Sequence, residues 1–404
     1  MRNLLKNIIL TSAILASSIA TQAQNIAVKG EKVYTMEGKY LENGVVLIKD
    51  GKVEKTGVNL NIPSNYEVYS AKVVTPGFID AHSVVGLAGI FNQKHDQDQL
   101  EDSSPIQPEL RAIDAYNARE ALVVFLREMG ITTVHTGHGP GALMSGKTMI
   151  VKTVGDTAEE AIVKEEAMIA MTIGSSVASK FKSPGTRSKG IAMLRETFVK
   201  AQTYQEKMKN KDASKHPERN LKDEAVGKLL TGELTALVTA QTSRDIITAL
   251  RLAEEFKFKM ILDGGAEVYM VLDEIKKAGI SVIIHPTMMR TYGDSQHASF
   301  ETTGKVADFG IPMAFQSGFE GYVPKTRVVT FEAAIAVANG LDYEKAMKAL
   351  TIVAAKILGI ENRVGSLKAG KDADLVLYDG DPFEYTSHVE KVIVNGKVVS
   401  DKRK

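Results

Sequence analysis

Four histidines stand at or just beyond the ends of short apolar segments, where buried strands are expected to end. They are His82, His135, His138 and His285. An imidazole can bind a metal ion or transfer a proton near neutral pH, so the set predicts one of two chemistries. Either these side chains hold a divalent metal such as zinc, or two of them act as general acid and base without a metal. The structural alternative is that each ring is hydrogen-bonded within the core.

Polar side chains of other types follow neighbouring apolar segments. Asp263 and Glu267 come after one such segment, and Gln316 and Glu320 come after another. Because the carboxyl ends of parallel strands meet at one mouth of a barrel, these four residues are predicted to bind substrate beside the histidines. The glycine-rich turn 137–141 follows a strand in the same way, so its backbone N–H groups could approach an oxyanion.

The segments that would position these residues alternate between apolar runs and amphipathic helices. The predicted strands are 73–80, 131–136, 148–153, 170–173, 234–239, 259–262, 281–284 and 312–315. The predicted helices include 109–129, 191–208, 243–256, 267–278, 331–339 and 343–358. Eight strands with intervening helices favour a closed (β/α)8 TIM barrel over an open doubly wound sheet. The first strand is not followed by a Gly-x-Gly-x-x-Gly turn, which also argues against a dinucleotide-binding fold.

Both ends of the chain have a β pattern. Asp50-Gly51 and Asn395-Gly396 are hairpin signals, and each lies between apolar runs. Neither end has enough apolar surface to fold alone, so the two are predicted to form one small β-sandwich domain. The predicted organisation is a β domain from 24–72 plus 360–404 and a barrel from 73–359.

The first residues resemble a secretory signal peptide, predicted to cover residues 1–23. Arg2 and Lys6 precede a largely apolar stretch, 8–20, which ends among small residues. This stretch is too short for a comfortable membrane span. The mature protein is therefore predicted to start near Gln24 and to work in the periplasm or outside the cell.

Composition limits the partners of the mature protein. The 50 Lys and Arg residues nearly balance the 49 Asp and Glu residues, which argues against nucleic acid or an anionic membrane as partner. The chain has no Cys, which excludes disulfides, thiolate zinc sites and a Cys nucleophile. A small-molecule substrate is the predicted partner, and a homo-oligomer is left open.

Several motifs resemble those of one enzyme family. The segment from Pro76 to Val84 is similar to the Pro-Gly-x-Ile-Asp-x-His-x-His motif of the amidohydrolase superfamily. The stretches 130–134, 140–143, 244–256 and 363–376 resemble its imidazolonepropionase-like subgroup. The resemblance implies a TIM barrel and metal-assisted hydrolysis, in which a divalent ion polarises a carbonyl and activates water.

The chain departs from the ligand set that this resemblance implies. His82 matches the first standard ligand and is the only one retained. The other positions carry residues of other types: Val84, Ser175, Thr239, Gln241, Gly264 and Gly318. One imidazole cannot hold a catalytic zinc, which needs about three protein ligands. The resemblance thus implies a degenerate metal site, and a metal is expected only if the other histidines rebuild it.

The predicted function is hydrolysis of a C–N bond, in a non-peptide amide or cyclic amide of a small molecule, by an exported amidohydrolase with a non-standard site. The alternative is a catalytically inactive pseudoenzyme or small-molecule binding module on the same fold.

Overall fold

A computed structural model describes residues 25–91, 93–287, 291–318 and 328–404. Within these ranges, no helix combines the length and the apolar character that crossing a bilayer would require.

Strands from both ends of the chain form one mixed sheet. β1 to β4 span Ile26–Val33, Leu41–Lys49, Lys52–Val58 and Glu67–Pro76. The last three strands, β15 to β17, span Leu375–Tyr378, Val389–Val394 and Lys397–Ser400. Their order is β17-β16-β15-β4-β1-β2-β3, so β15 and β4 join the two ends. Asp50 (φ 51°) and Asn395 (φ 51°) have the left-handed backbone of tight hairpin turns.

The sheet curls around an apolar core. Val53 N–H donates to the Lys371 carbonyl, and Ala373 N–H donates to the Gly51 carbonyl, so the β2–β3 hairpin folds back against the segment that leads into β15. The enclosed core includes Ile26, Val46, Leu375 and Ile393. The predicted pairing of the two ends matches this arrangement; the domain bounds given above stay a prediction.

Ten shorter strands of the described chain form the two sheets of the barrel. β5 to β14 span Phe78–Ser83, Ile131–Thr136, Gly146–Lys147, Met149–Lys152, Ile162–Lys164, Met168–Thr172, Thr235–Ala240, Met260–Gly264, Val282–Ile284 and Met313–Phe315. They are ordered β14-β13-β12-β11-β10-β7 and β5-β6-β8-β9. β14 lies beside β5, and Thr148 N–H donates to the Met168 carbonyl, so the two sheets close into a ring. This is the predicted fold class.

The third position of the barrel departs from the expected parallel arrangement. β8 pairs antiparallel with β6, and β7 pairs antiparallel with β10. The prediction of a parallel strand over 148–153 was therefore wrong in direction. An apolar run of this length has the same residue pattern in either direction, so composition could not decide it.

Eleven helices of the described chain surround the strands. α1 to α11 span Ala121–Glu128, Ala158–Ala161, Ser175–Lys180, Arg187–Met208, Leu221–Leu230, Ser243–Phe256, Leu272–Ala278, Thr302–Asp308, Val328–Ala338, Tyr343–Ala349 and Ile352–Leu358. The first predicted helix, 109–129, is much longer than α1. The Glu120 carboxylate accepts from Leu122 N–H and starts the helix only there.

The junction between sheet and barrel lies at Pro76-Gly77. The predicted strand 73–80 is in fact two strands: β4 belongs to the sheet, and β5 belongs to the barrel. A Cβ on Gly77 would overlap the side chain of Thr132 on β6, so only glycine fits this close approach. The chain can therefore pass from one sheet directly into the next without a loop.

A buried ion cluster also joins the barrel to the sheet. Lys152, on β8, has a side chain that is only 3% exposed. Its Nζ lies 2.7 Å from Asp372 Oδ2 and 3.0 Å from Asp374 Oδ2, and it donates to the Asn395 side chain. All three partners come from the C-terminal segment, so this lysine connects the two parts of the molecule.

Candidate active site

Polar side chains form a layer above the apolar interior of the barrel. Leu237, Ile261, Ile283 and Ala314 belong to the inner apolar cluster. Two residues further along the same strands come Thr239, Asp263, His285 and Gln316. Successive side chains of a strand alternate between faces, so these four point to the same interior, at the carboxyl ends of β11 to β14.

His82 and Asp263 form the centre of this layer. His82 Nδ1 donates to Asp263 Oδ1 over 2.9 Å, and both side chains are almost fully buried. Asp263 also accepts from Thr239 Oγ1 (2.6 Å) and Gln316 Nε2 (2.6 Å). Burial alone would lower the pKa of His82, but the Asp263 charge beside it raises that pKa overall. His82 Nε2 is buried and has no hydrogen-bond partner among the described residues.

Asp80 lies on the same strand as His82 and faces the end of β14. Its Oδ1 accepts from Ser317 N–H (3.0 Å) and more weakly from His82 N–H (3.3 Å). Burial raises the pKa of this carboxyl to about 6, and the hydrogen bonds from Ser317 offset part of that effect. Ser317 Oγ in turn contacts Ser83 Oγ at 3.3 Å, so β5 and β14 are connected by side chains.

His135 lies next to His82 but is fully hydrogen-bonded within the protein. The two ring centres are 5.7 Å apart. His135 Nδ1 donates to the Ala81 carbonyl (2.8 Å), and Nε2 lies 2.7 Å from Thr148 Oγ1. Burial, with a further effect from His82, lowers the pKa of His135 to about 3, so the ring is neutral. A neutral ring with both nitrogens bonded supports the position of His82 and has no free nitrogen for substrate or metal.

His138 takes no part in the hydrogen bonds of the His82 network, and both of its ring nitrogens are buried without a hydrogen-bond partner among the described residues. Its ring packs against Gly146, and burial lowers its pKa to about 4. The charge of Asp114 opposes this lowering of the His138 pKa. The neighbouring turn is also occupied, because Gly139 N–H donates to the Gln99 carbonyl and Gly141 N–H donates to Thr172 Oγ1. Those two N–H groups are therefore not free to bind an oxyanion.

His285 pairs with a second buried carboxylate beside the first pair. Its Nδ1 lies 3.8 Å from Glu332 Oε1, and Glu332 also accepts from the Thr287 backbone and hydroxyl. The imidazole lies against Gly318, next to the Ser317 that contacts Asp80. His285 also lies close enough to His82 for its charge to lower the pKa of His82. Two His–carboxylate pairs thus lie side by side at the mouth.

The predicted substrate-binding residues divide into two groups. Asp263 and Gln316 lie in the His82 network. Glu267 instead accepts from the Ser243 backbone N–H (2.7 Å) and from His297 Nδ1 (2.6 Å), at the start of α6. Glu320 lies outside the described residues.

The described residues do not fit the metal centre that the family motif implies. No group of three or more His, Asp or Glu side chains in this part of the chain could hold an ion. Val84 is apolar, and Thr239 is hydrogen-bonded to Asp263. At two further ligand positions the backbone itself favours glycine, with φ of 84° at Gly264 and 72° at Gly318.

Asp80 and the serine pair were missed from the sequence, although a signal existed for Asp80. Asp80 precedes His82 by two residues on one strand, the spacing at which side chains share a face. The Ser83–Ser317 contact joins residues 234 positions apart, and no local pattern predicts it.

Restoring the family carboxylate at position 318 is expected to destabilise the protein without producing a metal site. In Gly318→Asp the new Cβ overlaps the His285 ring, and the left-handed φ adds about 1–3 kcal/mol of strain. Gly310→Asp is the matched control, since Gly310 has a similar φ of 78° and open space around it. Urea unfolding and zinc titration of both variants test this. Stoichiometric zinc binding by Gly318→Asp at unchanged stability would contradict it.

Comparison with known proteins identifies the family. The amidohydrolase family model matches residues 316–400. Amidohydrolase tasK of Hapsidospora irregularis is 23% identical over 89% of this chain, and an imidazolonepropionase of Alkaliphilus metalliredigens is 27% identical over 34% of it. The chain spans only 40% and 35% of the lengths of these two relatives.

A solved structure gives the more complete match. The amidohydrolase from Thermotoga maritima is 30% identical and superposes with a TM-score of 0.88, over 93% of this chain and 100% of its own. This agreement extends over both the barrel and the β sheet, so the predicted family and fold class are confirmed. The chain belongs to the amidohydrolase superfamily.

Proposed function

We propose that this protein hydrolyses a C–N bond, in a non-peptide amide or cyclic amide of a small molecule, with a His–carboxylate site in place of the standard metal centre. The observation that carries the proposal is the His82–Asp263 pair. One imidazole nitrogen is fixed by a buried carboxylate, while the other is buried without a partner in the described structure. An imidazole held in this way can transfer protons in a defined direction. The related amidohydrolases and imidazolonepropionases are hydrolases of C–N bonds.

The reaction needs a base for water and an acid for the leaving nitrogen. In the proposed mechanism, the neutral form of His82, with its proton on Nδ1, accepts a proton from water at Nε2. At the same time the water oxygen attacks the carbonyl carbon of the substrate. Burial raises the pKa of Asp263, but the charge of His82 and the hydrogen bonds from His82, Thr239 and Gln316 lower it overall, so Asp263 stays ionised. The proton on Nε2 then passes to the nitrogen as the C–N bond breaks. The second imidazole of the proposed site is that of His285, which lies beside the Glu332 carboxylate.

The experiment is hydrolysis of a panel of small cyclic and acyclic amides by the purified chain, followed by mass spectrometry of the products. Turnover of at least one compound is expected. If none is hydrolysed, the alternative function, a catalytically inactive binding module on this fold, becomes the better account. One observation favours that alternative: Asp263 and His135 both use their hydrogen-bonding groups within the protein.

We also propose that the protein is exported and acts outside the cytoplasm. The support is the basic start, the apolar stretch 8–20 and the small residues that follow. Protein recovered from the envelope of its native cells should begin near Gln24 on N-terminal sequencing. Recovery of chains that begin at Met1 from the soluble cytoplasmic fraction would overturn this.

A further inference from the structure

A cavity of about 410 Å³ lies beside the barrel mouth, where α3, α4 and α6 begin. Apolar side chains form part of its wall, among them Leu143, Ile173 and Ile191. Its volume lies within the range of small-molecule pockets. It is separate from the His82 network, since none of the residues that make that network's hydrogen bonds lines it.

Arginines are the main charged residues in the lining of this cavity. Four arginines line it: Arg187, Arg195, Arg244 and Arg251. Asp245 is the only acidic residue in the lining, and Arg187 already pairs with it through two hydrogen bonds of 2.7 and 3.1 Å. Asp294 and Glu255, just outside the lining, also pair with Arg187 and Arg195, so four arginines face three carboxylates and the excess is one positive charge. The apolar part of the wall strengthens the field of that charge.

The four arginines differ in how they are held. Asp245 fixes the guanidinium of Arg187, and Glu255 fixes that of Arg195 through bonds of 2.8 and 2.9 Å. In the ranges that the structure describes, no carboxylate pairs with Arg244 or Arg251. The cavity thus has two arginines held by carboxylates beside two solvent-exposed arginines, Arg244 and Arg251, at its rim.

The cavity is connected to the proposed site through one strand pair. Ile173 N–H, in the cavity wall, donates to the Thr239 carbonyl over 2.9 Å. The Thr239 hydroxyl donates to Asp263, the partner of His82. A molecule in the cavity would therefore lie next to the strand end that holds Asp263.

We propose that this cavity is a binding site for a small anionic molecule that carries a carboxylate or a phosphate group. Both groups match the planar guanidinium, which can bind them through two parallel hydrogen bonds. Arg244 and Arg251 bind the anion, and the apolar wall takes the rest of the molecule. The proposal does not depend on whether His82 catalyses hydrolysis.

Isothermal titration at low salt tests the proposal with two probes, glutarate and inorganic phosphate, added separately to the full chain. Saturable binding of about one equivalent of at least one probe is expected, and the preferred probe tells carboxylate from phosphate. The double variant R244Q/R251Q should bind that probe about tenfold more weakly or worse, because it loses two charged donors. The variant R244K/R251K keeps both positive charges but lacks the two parallel N–H donors of a guanidinium. Its affinity for the probe should lie between those of the wild type and R244Q/R251Q.

Two controls make the result specific. Lys207→Gln removes a positive charge from an exposed position elsewhere on α4 and should bind like wild type. His82→Asn should also bind like wild type, which separates this site from the proposed catalytic site. The absence of saturable binding for both probes, or equal binding by wild type and R244Q/R251Q, would overturn the proposal.

Discussion

Replacement of His82 by Asn is expected to lower kcat by about 10²- to 10⁴-fold toward whichever small amide the wild-type protein hydrolyses. Asparagine can still hydrogen-bond to Asp263, but it cannot accept a proton from water and return it to the leaving nitrogen. Because the loss is in the chemical step, kcat should fall much more than KM rises. Asp263→Asn should also lower kcat, since the imidazole would lose the carboxylate that orients it.

His216→Asn is the matched control for this prediction. His216 is half-buried in a surface loop, where its ring is hydrogen-bonded to the Asn210 carbonyl and is not part of the His82 network, so kcat should stay at the wild-type value. Full activity in His82→Asn would show that the chemistry occurs elsewhere. The circular-dichroism spectrum and melting curve of His82→Asn must match those of the wild type, so that unfolding does not explain the loss of activity.

Replacement of Lys152 by Met is expected to destabilise the protein by about 3–5 kcal/mol. Methionine has a similar length, so the main loss is charge. It leaves the nearly buried carboxylate of Asp374 without its cation, and it removes one of the three cations that pair with Asp372, which keeps Lys52 and Arg363. Since Lys152 belongs to the barrel and its partners to the C-terminal segment, the junction between the two parts should weaken most.

Urea unfolding measures this effect, and Lys200→Met is the control. Lys200 makes an exposed ion pair with Glu196 on α4, so its loss should leave the unfolding midpoint where it is. Equal midpoints for Lys152→Met and wild type would contradict the assigned role of the cluster.

The same cluster has a defined pH dependence. Burial would raise the pKa of Asp372, but hydrogen bonds from Lys152 and Lys52 lower it to about 2. Because the folded-state pKa is below the ordinary value of 3.8, this stabilisation is present above about pH 4 and is lost as the pH falls towards 2. The stability difference between wild type and Lys152→Met should therefore shrink below pH 4. Asp374 does not set this window, since burial raises its pKa.

Much of the fold follows from local patterns of the sequence. The hairpin residues at 50–51 and 395–396 adopt the expected turns, and helix α6 has its predicted bounds, Ser243–Phe256. The alternation of strands and helices was sufficient to predict the barrel. The direction of the segment at 146–152 was not predictable, because only its pairing with β6 and β10 fixes it.

The meeting of some polar side chains at one barrel mouth could be predicted from the sequence, whereas their roles could not. Strand ends predicted that His82, Asp263 and Gln316 would meet at one mouth, and they lie within one hydrogen-bond network. Residue type alone could not distinguish His82 from His135, whose nitrogens are both satisfied by partners at distant positions. The position of His138 depends on how the 137–141 turn packs, which sequence spacing does not determine. Whether these residues catalyse hydrolysis stays a prediction.

The central claim is that His82 acts with Asp263 in place of the family's metal centre. The most direct test is the metal content of the purified, catalytically assayed chain, measured by elemental analysis beside that of His82→Asn. The described residues offer no set of about three ligands, so both proteins should contain far less than one divalent ion per chain. About one tightly held ion per wild-type chain, lost in His82→Asn, would contradict the account and restore the standard mechanism.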